Sequence, residues 1–333
     1  MEAEEFRLVR EALRAFAADH RCDAAEVGQT ERTTAQKALD GLGLGELRRS
    51  TPPLASAQEC ALLAEEYGRQ PLATSFLGTV LLAPEVLRLL AATGRHAPYE
   101  SRPTVALTRD LRFTGRDSEA DHVAWDAEGA ESALWIGGDG TVRALDLGGP
   151  APTTDLLRVV REAHPGTPDS VLGRLDPEQL HAWQAWALVM VSSELVGAAA
   201  SFVEQSTAYA RDRSQYGRPI GSFQAVQHLL ADATVAVEAC ASATRYAAWC
   251  LDHAGPDTAL AAARVAKAEV DVSAVEAVYA GMQVFGGIAQ TWEHMAHLYL
   301  RRVRVGATVL TGTPDLLTAL ALPPSGPHVV EAS

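Results

Sequence analysis

The sequence predicts an α+β fold, predominantly α: an N-terminal helical domain, a small β domain and a C-terminal four-helix bundle. Three observations carry that prediction. Apolar residues recur at helical spacing through the first part of the chain, as in Phe6, Val9, Leu13 and Phe16. After Pro103 the spacing changes to short alternating runs punctuated by turn residues. From Pro177 onward the chain returns to helical spacing, in stretches long and apolar enough to pack as an antiparallel bundle. The expected divisions are residues 1–102, 103–170 and 171–322, with a frayed Pro-rich tail at 323–333.

The elements follow in order. Helices are expected over Glu4–Ala18 and Ala57–Tyr67, with a Gly-Leu-rich turn at Gly41–Leu47 between them. Gln70–Leu90 is mostly apolar and reads as buried helix. Strands are expected at Thr104–Thr108, His122–Trp125, Ala133–Ile136 and Val142–Leu145, with Gly137 to Gly140 as the clearest turn. Asp176 followed by Pro177 is a helix start, an N-cap acid with proline in the first helical position. Helices then span Pro177 to about Gln215, Phe223–His253, Thr258–Gln283 and roughly Thr291–Leu300.

Composition narrows the classes of function. The 333 residues are 47% apolar and 21% charged, which excludes general disorder. A net charge of −14 opposes nucleic acid and anionic membranes as partners. No uncharged, uniformly apolar run reaches the ~18 residues of a membrane span. The acidic N-terminus has no apolar segment behind it and does not read as a signal peptide. Cys22, Cys60, Cys240 and Cys250 lie far apart with no CxxC pair, which fits a reducing cytoplasm and neither a zinc site nor a disulfide framework.

Two segments carry chemical information. In Tyr209–Gln227 a long helix ends in charged residues, Gly217 and Pro219 make a turn, and a second helix follows Ser222. The plain reading is a helical hairpin with a solvated Arg corner. The sharper one is that an Arg, a Gln and an aromatic ring at a tight turn hold a pyrophosphate, whose oxygens a guanidinium grips as a fork. In Gln283–His294 a helix ends at Gly286 and Gly287, which end a helix or let a ligand or backbone come close.

In this order, about seventy residues apart, the two segments resemble the acyl-CoA dehydrogenase family. Its pattern is Arg-x-x-(Phe/Tyr)-Gly-x-(Pro/Leu)-Ile, continuing to a Gln, followed later by Gln-(Val/Ile)-(Phe/His)-Gly-Gly. Gln283 to Gly287 and the following Thr-Trp-Glu-His are similar to actinobacterial members. The resemblance covers the helical N-terminal third, the β segment in outline and most of residues 177–315. It implies the acyl-CoA dehydrogenase fold, dimers or dimers of dimers, and FAD at a subunit interface. It implies that Arg213, Gln215 and Tyr216 contact the FAD pyrophosphate, that Gln224 contacts FAD from the next helix, and that Gln283 and Gly287 make the second contact across the interface. The implied reaction is α,β-dehydrogenation of an acyl thioester. A Glu removes the α-proton, because the base must be unprotonated, close and desolvated.

Neither position the family uses for that Glu holds an acid here. Thr311, before Gly312 and Thr313, occupies one place, and Ala187 occupies the other. Glu194, about two helical turns further on, is the fallback base, and its plain reading is helix packing. Glu293 reads as structural. His294 and His297 lack a Glu-rich partner segment, so no metal is expected. The flavin-ring loop Thr-Glu-Pro-x-x-Gly-Ser-Asp of the family is also missing: Thr108 is followed by Arg109 and Asp110, and the chain runs on to Phe113. The later segment ends at Trp125 without the family's Thr-Asn. Both departures resemble the short β-type subunits of actinobacterial α2β2 members that act on steroid or other bulky acyl-CoA thioesters.

The leading expectation is a subunit that completes a partner's FAD site and is inactive alone, its partner another acyl-CoA dehydrogenase subunit or a second copy of itself. A stand-alone, flavin-free binding or biosynthetic protein is one alternative. A homo-oligomeric dehydrogenase with a displaced base is the other.

Overall fold

The computed structural model describes residues 3–92, 99, 101–113, 121–165 and 170–321. The tail expected to fray lies outside them.

The N-terminal layer is helical: α1 (Ala3–Asp19), α2 (Gln29–Asp40), α3 (Ala57–Gly68) and α4 (Ala83–Ala92). Ser56 and Glu59 form a capping box that starts α3. The buried helix expected over Gln70–Leu90 is shorter and less regular than its apolar pattern suggests. Residues 70–76 are not helical, and Leu77–Leu82 is a π-helical turn leading into α4. Gly78 explains the irregularity in part: its backbone N–H donates to Asp126 at 2.7 Å, and a Cβ there would strike Thr104 and Asp126 of the β layer.

The β layer contains β1 (Pro103–Thr108), β2 (His122–Trp125), β3 (Ser132–Ile136), β4 (Thr141–Pro150), β5 (Val160–Pro165) and β6 (Val171–Arg174). The order is β3-β1-β2-β5-β4-β6, and β3 also pairs with β4. Five strands thus close on themselves and β6 extends one side of β4. β1 runs parallel to β3, and every other pairing is antiparallel. β5 and β6 have no strong alternation in sequence and were not expected.

The C-terminal layer holds α5 (Pro177–Asp212), α6 (Gln224–His253), α7 (Pro256–Phe285), α8 (Ala296–Gly306) and α9 (Thr313–Ala321). α5 is the central element and packs on α3, α6, α7 and α8. Its start is a capping box of Asp176 and Gln179 with Pro177 at the first position. Gly68 and Gly197 let α3 and α5 cross closely: a Cβ on either would collide with the other helix's main chain. α5 ends at Asp212 rather than Gln215, because Ser214–Gln215 and Arg218–Pro219 pair as two short strands, β7 and β8. The helix expected at Thr291–Leu300 is displaced: Gly286–Gln290 is a 3-10 turn, and α8 begins at Ala296.

Two stretches, Pro177–Asp212 and Pro256–Gln290, are long and apolar enough to cross a membrane by length and composition, contrary to the expectation from the sequence. The fold uses the first as bundle core, with 94% of its apolar window buried.

Candidate functional site

The Arg213 turn is a two-residue hairpin. Gln215 pairs with Arg218, and between them Tyr216 and Gly217 have φ of 53° and 76°. Left-handed values at both central positions match the primed turns whose twist suits paired strands, and glycine takes the second at no steric cost. The hairpin pushes Tyr216 outward, where it is 93% exposed. Arg213, Gln215 and Gln224 are exposed too, and none of their side chains bonds to another described residue. Arg218 is spent on the Phe223 ring, 4.1 Å from its centroid.

The second segment comes to the same edge of the bundle. Gln283 and Gly287 are exposed, and a Cβ on Gly286 or Gly287 would meet open space. These glycines are therefore not required by any close approach within this chain. Beneath both segments lies a small apolar cluster, separate from the main core. It is built from Ala210, Leu230 and Val284 with Tyr209, Ile220 and Val226 packed on it. The structure thus brings together Arg213, Gln215, Tyr216, Gln224, Gln283 and Gly287 as an open row of donors and one ring.

The two expected base positions lie elsewhere: one is enclosed and Thr311 is half-buried. Ala187 is fully buried. Around it on α5, the Trp186 indole donates to the Leu81 carbonyl at 3.0 Å under the Arg48 guanidinium, and Trp183 meets Phe113 edge-on at 5.4 Å. Thr311 follows Leu310, whose N–H donates to the Leu111 carbonyl at 2.7 Å and whose carbonyl accepts from Phe113 N–H at 2.8 Å. The β1–β2 connection is thereby tied to the segment before Thr311. Arg112 lies against Gly312 and donates to Asp315 at 3.1 Å. Behind that segment, buried Lys267 donates to the Gly306 carbonyl at 3.1 Å and pairs with Asp271. Burial pushes the Asp271 carboxyl up to about 6, against the opposing pull of Lys267. A cleft of about 240 Å³ remains between Arg109–Leu111, residues 151–154 and Val305 and Thr308, and neither Ala187 nor Thr311 lines it.

Glu194 does not serve as a spare base. It is buried, both oxygens accept from Arg158 Nη2 at 2.6 and 2.7 Å, and Oε1 also accepts from Arg302 Nη1 at 2.9 Å. Asp155 pairs with Arg302 at 2.5 Å, and Asp126 with Arg158 at 2.7 Å. Burial drives the Asp126 carboxyl above the usual range. In Asp155 burial acts the same way, but Arg302 and Arg158 outweigh it and the carboxyl falls below that range. Each Arg has its fork filled by buried carboxylates, so this cluster clamps the β layer to α5 and α8. Sequence reading missed it because, apart from Asp155 and Arg158, its paired members lie 32 to 147 residues apart, with no spacing rule to connect them.

His294 and His297 are occupied locally. His294 Nδ1 accepts from Ala296 N–H at 3.1 Å, and His297 Nε2 bonds the Trp292 carbonyl at 3.1 Å. Glu293 is exposed.

The donor set fits FAD at one end. Arg213 and the three glutamines are free, charged or amide donors beside an exposed ring, as a pyrophosphate and a nucleoside require. At the other end neither position offers an acid: Ala187 is packed among Trp183 and Trp186, and half-buried Thr311 follows a segment tied to Leu111 and Phe113.

A helical layer, a small closed β layer and a long-helix bundle, with a donor-rich turn at the bundle edge, define the architecture of flavin-dependent acyl thioester oxidoreductases. The comparisons agree. The family model "Acyl-CoA dehydrogenase, C-terminal domain" matches residues 186–320. The acyl-CoA dehydrogenase IpdE2 of Mycobacterium tuberculosis is 32% identical over 79% of this chain and 76% of its own length. Among solved structures, the steroid acyl-CoA dehydrogenase Tcur3481-Tcur3483 superposes with a TM-score of 0.74 at 23% identity, covering 95% of this chain and 96% of that one. The ChsE4-ChsE5 complex of Mycobacterium tuberculosis gives 0.75 at 18% identity, covering 96% and 97%. The chain belongs to the acyl-CoA dehydrogenase family.

Proposed function

We propose that this chain is a non-catalytic subunit of an acyl-CoA dehydrogenase that acts with FAD on an acyl thioester. Arg213, Gln215, Tyr216, Gln224, Gln283 and Gly287 complete the FAD site of a partner, which is another acyl-CoA dehydrogenase subunit or a second copy of this chain. The observation that carries this reading is the contrast between free donors at the bundle edge and the lack of an acid at both base positions, Ala187 being buried beneath Trp183 and Trp186 and Thr311 half-buried. The IpdE2 relative and the two-chain neighbours support it by kinship. The four cysteines, all free and buried, are compatible with a cytoplasmic setting.

When bound, FAD accepts the hydride that leaves the β-carbon of the thioester. The residues of this chain bind and orient. Arg213 grips pyrophosphate oxygens through charge-assisted hydrogen bonds, Gln215 and Gln224 donate amide N–H groups, and Tyr216 offers a flat face for stacking. Gly287 leaves the partner's backbone or the nucleotide room to approach. No group at 187 or 311 takes a proton: alanine has none to exchange, and a threonine hydroxyl is not ionised near neutral pH.

The test is purification of the chain alone and with co-expressed acyl-CoA dehydrogenase subunits from its own host. The expected result is a colourless chain alone and a yellow, stable complex with thioester-dependent dye reduction. A yellow, active preparation of this chain by itself would overturn the reading.

A further inference from the structure

We propose that the Tyr209–Phe285 ring pair is the positioning element that sets the spacing of the two FAD-contacting segments; the inference rests on the reading of those segments given above. Tyr209 is four residues before Arg213, and its carbonyl accepts the Arg213 N–H at 2.8 Å, the last bond of α5 before the hairpin. Phe285 is the last residue of α7, directly before Gly286 and two after Gln283. The two rings meet with centroids 4.7 Å apart at an interplanar angle of 37°. One side-chain contact therefore joins the final turn of α5 to the final turn of α7.

The pair sits on rigid supports. Phe285 also meets Phe202 at 5.6 Å and the His294 ring edge-on at 4.6 Å. Tyr209 packs on the satellite cluster of Ala210, Leu230 and Val284. That cluster, which also holds Ile220, backs the ring pair from beneath, but it carries no ring-on-ring contact. Gly286 and Gly287 face open space, and the side chains of Arg213, Gln215 and Gln283 bond to no other described residue. Without a fixed spacing, donors on two helix ends would lose affinity for one rigid ligand, because ordering them would be charged to binding. The ring pair does that ordering in advance. Tyr209 and Phe285 touch no ligand themselves and act through Arg213 and Gln283.

The experiment is a double-mutant cycle on the purified FAD-containing assembly, with Tyr209→Leu, Phe285→Leu and the double variant, read as FAD affinity. Each single variant is expected to weaken FAD about three- to ten-fold, the size of one lost aromatic pair. The double variant should be no weaker than the worse single one. Tyr209→Phe keeps the ring and should bind FAD as the parent does, which a role for the hydroxyl would not allow. Should Phe285→Leu fail to assemble, Phe285→Met fills similar space without a ring and takes its place in the cycle. Arg213→Ala is the control for the underlying reading. If Arg213→Ala weakens FAD while the ring variants bind it unchanged, or if the ring variants lose affinity additively, the positioning role falls and the binding site stands. If Arg213→Ala is itself without effect, the site reading falls with it.

Discussion

The bundle edge around Arg213 and the region around Ala187 and Glu194 have opposite physical character. At the edge, polar side chains are exposed, unpaired and held by a small apolar cluster beneath them. In the interior, the groups nearest the base positions are largely engaged within the chain: Leu310 by two main-chain bonds, Trp186 by Leu81, and Glu194 by two guanidiniums, although the Trp183 indole N–H has no partner among the described residues. A surface that leaves good donors unsatisfied within its own chain is suited to an outside ligand. A region that satisfies most of its own groups is suited to stability. Under the proposed function, the first region serves recognition and the second serves packing.

The largest expected effect tests whether Glu194 belongs to the packed region. Glu194→Gln leaves Arg158 and Arg302 without their shared carboxylate, and a broken buried pair costs about 3–5 kcal/mol. The urea midpoint should fall sharply with the slope unchanged. A variant that melts like the parent but loses turnover would restore Glu194 as a base and break the contrast.

Next is the open edge. Arg213→Ala should reduce flavin retention of the assembly about ten- to one-hundred-fold, since charge-assisted bonds are worth about 1.5–3 kcal/mol each. Flavin content after gel filtration reads it, and the melting temperature of the flavin-free assembly should not move, because the guanidinium holds nothing inside its own chain.

A smaller effect comes from Asp271, behind the Thr311 segment. Burial lifts its carboxyl from the ordinary 3.8 to about 6 in the folded chain, which therefore holds the proton more tightly. The stability this group contributes is present below pH 3.8 and is lost as pH rises through about 6. Asp271→Asn should flatten that slope, measured as the difference between urea midpoints at pH 4.5 and 6.5. An unchanged slope would show that Lys267 keeps the carboxyl ionised throughout.

The smallest expected effect is none. Thr311→Glu restores an acid at one family position, but Leu310 stays tied to Leu111 and Phe113, and Trp183 still meets Phe113. Dye-coupled turnover of acyl-CoA thioesters by the chain alone should remain at background. Clear turnover would mean that the interior can open, and the two regions would then be less different than their packing indicates.

Much of this was legible beforehand in the residues. The Asp176–Pro177 start of α5 holds to the residue, because capping is local and needs only the backbone that follows. The four expected strands occur, since alternation reports one buried face. The Arg213 and Gly287 segments were found from order and residue type. Elements that depend on distant partners were misjudged. The π-helical turn at Leu77 sits where the β layer crowds Gly78, and α8 starts late because Gly286 at φ 69° ends α7 and a 3-10 turn intervenes.

The sequence by itself determined the family, the helical and strand periods, and the absence of an acid at 187 and 311, because each is a statement about residue types at local or fixed spacing. Only the tertiary structure decided that Glu194 is consumed, that the segment before Thr311 is tied to Leu111 and Phe113, and that Tyr209 reaches Phe285. These are contacts between residues 36 to 199 positions apart, created when separate apolar faces are buried together. A local pattern encodes which face of an element is apolar. It does not encode which polar groups are carried inside with that face, and those groups must find partners wherever the packing leaves them.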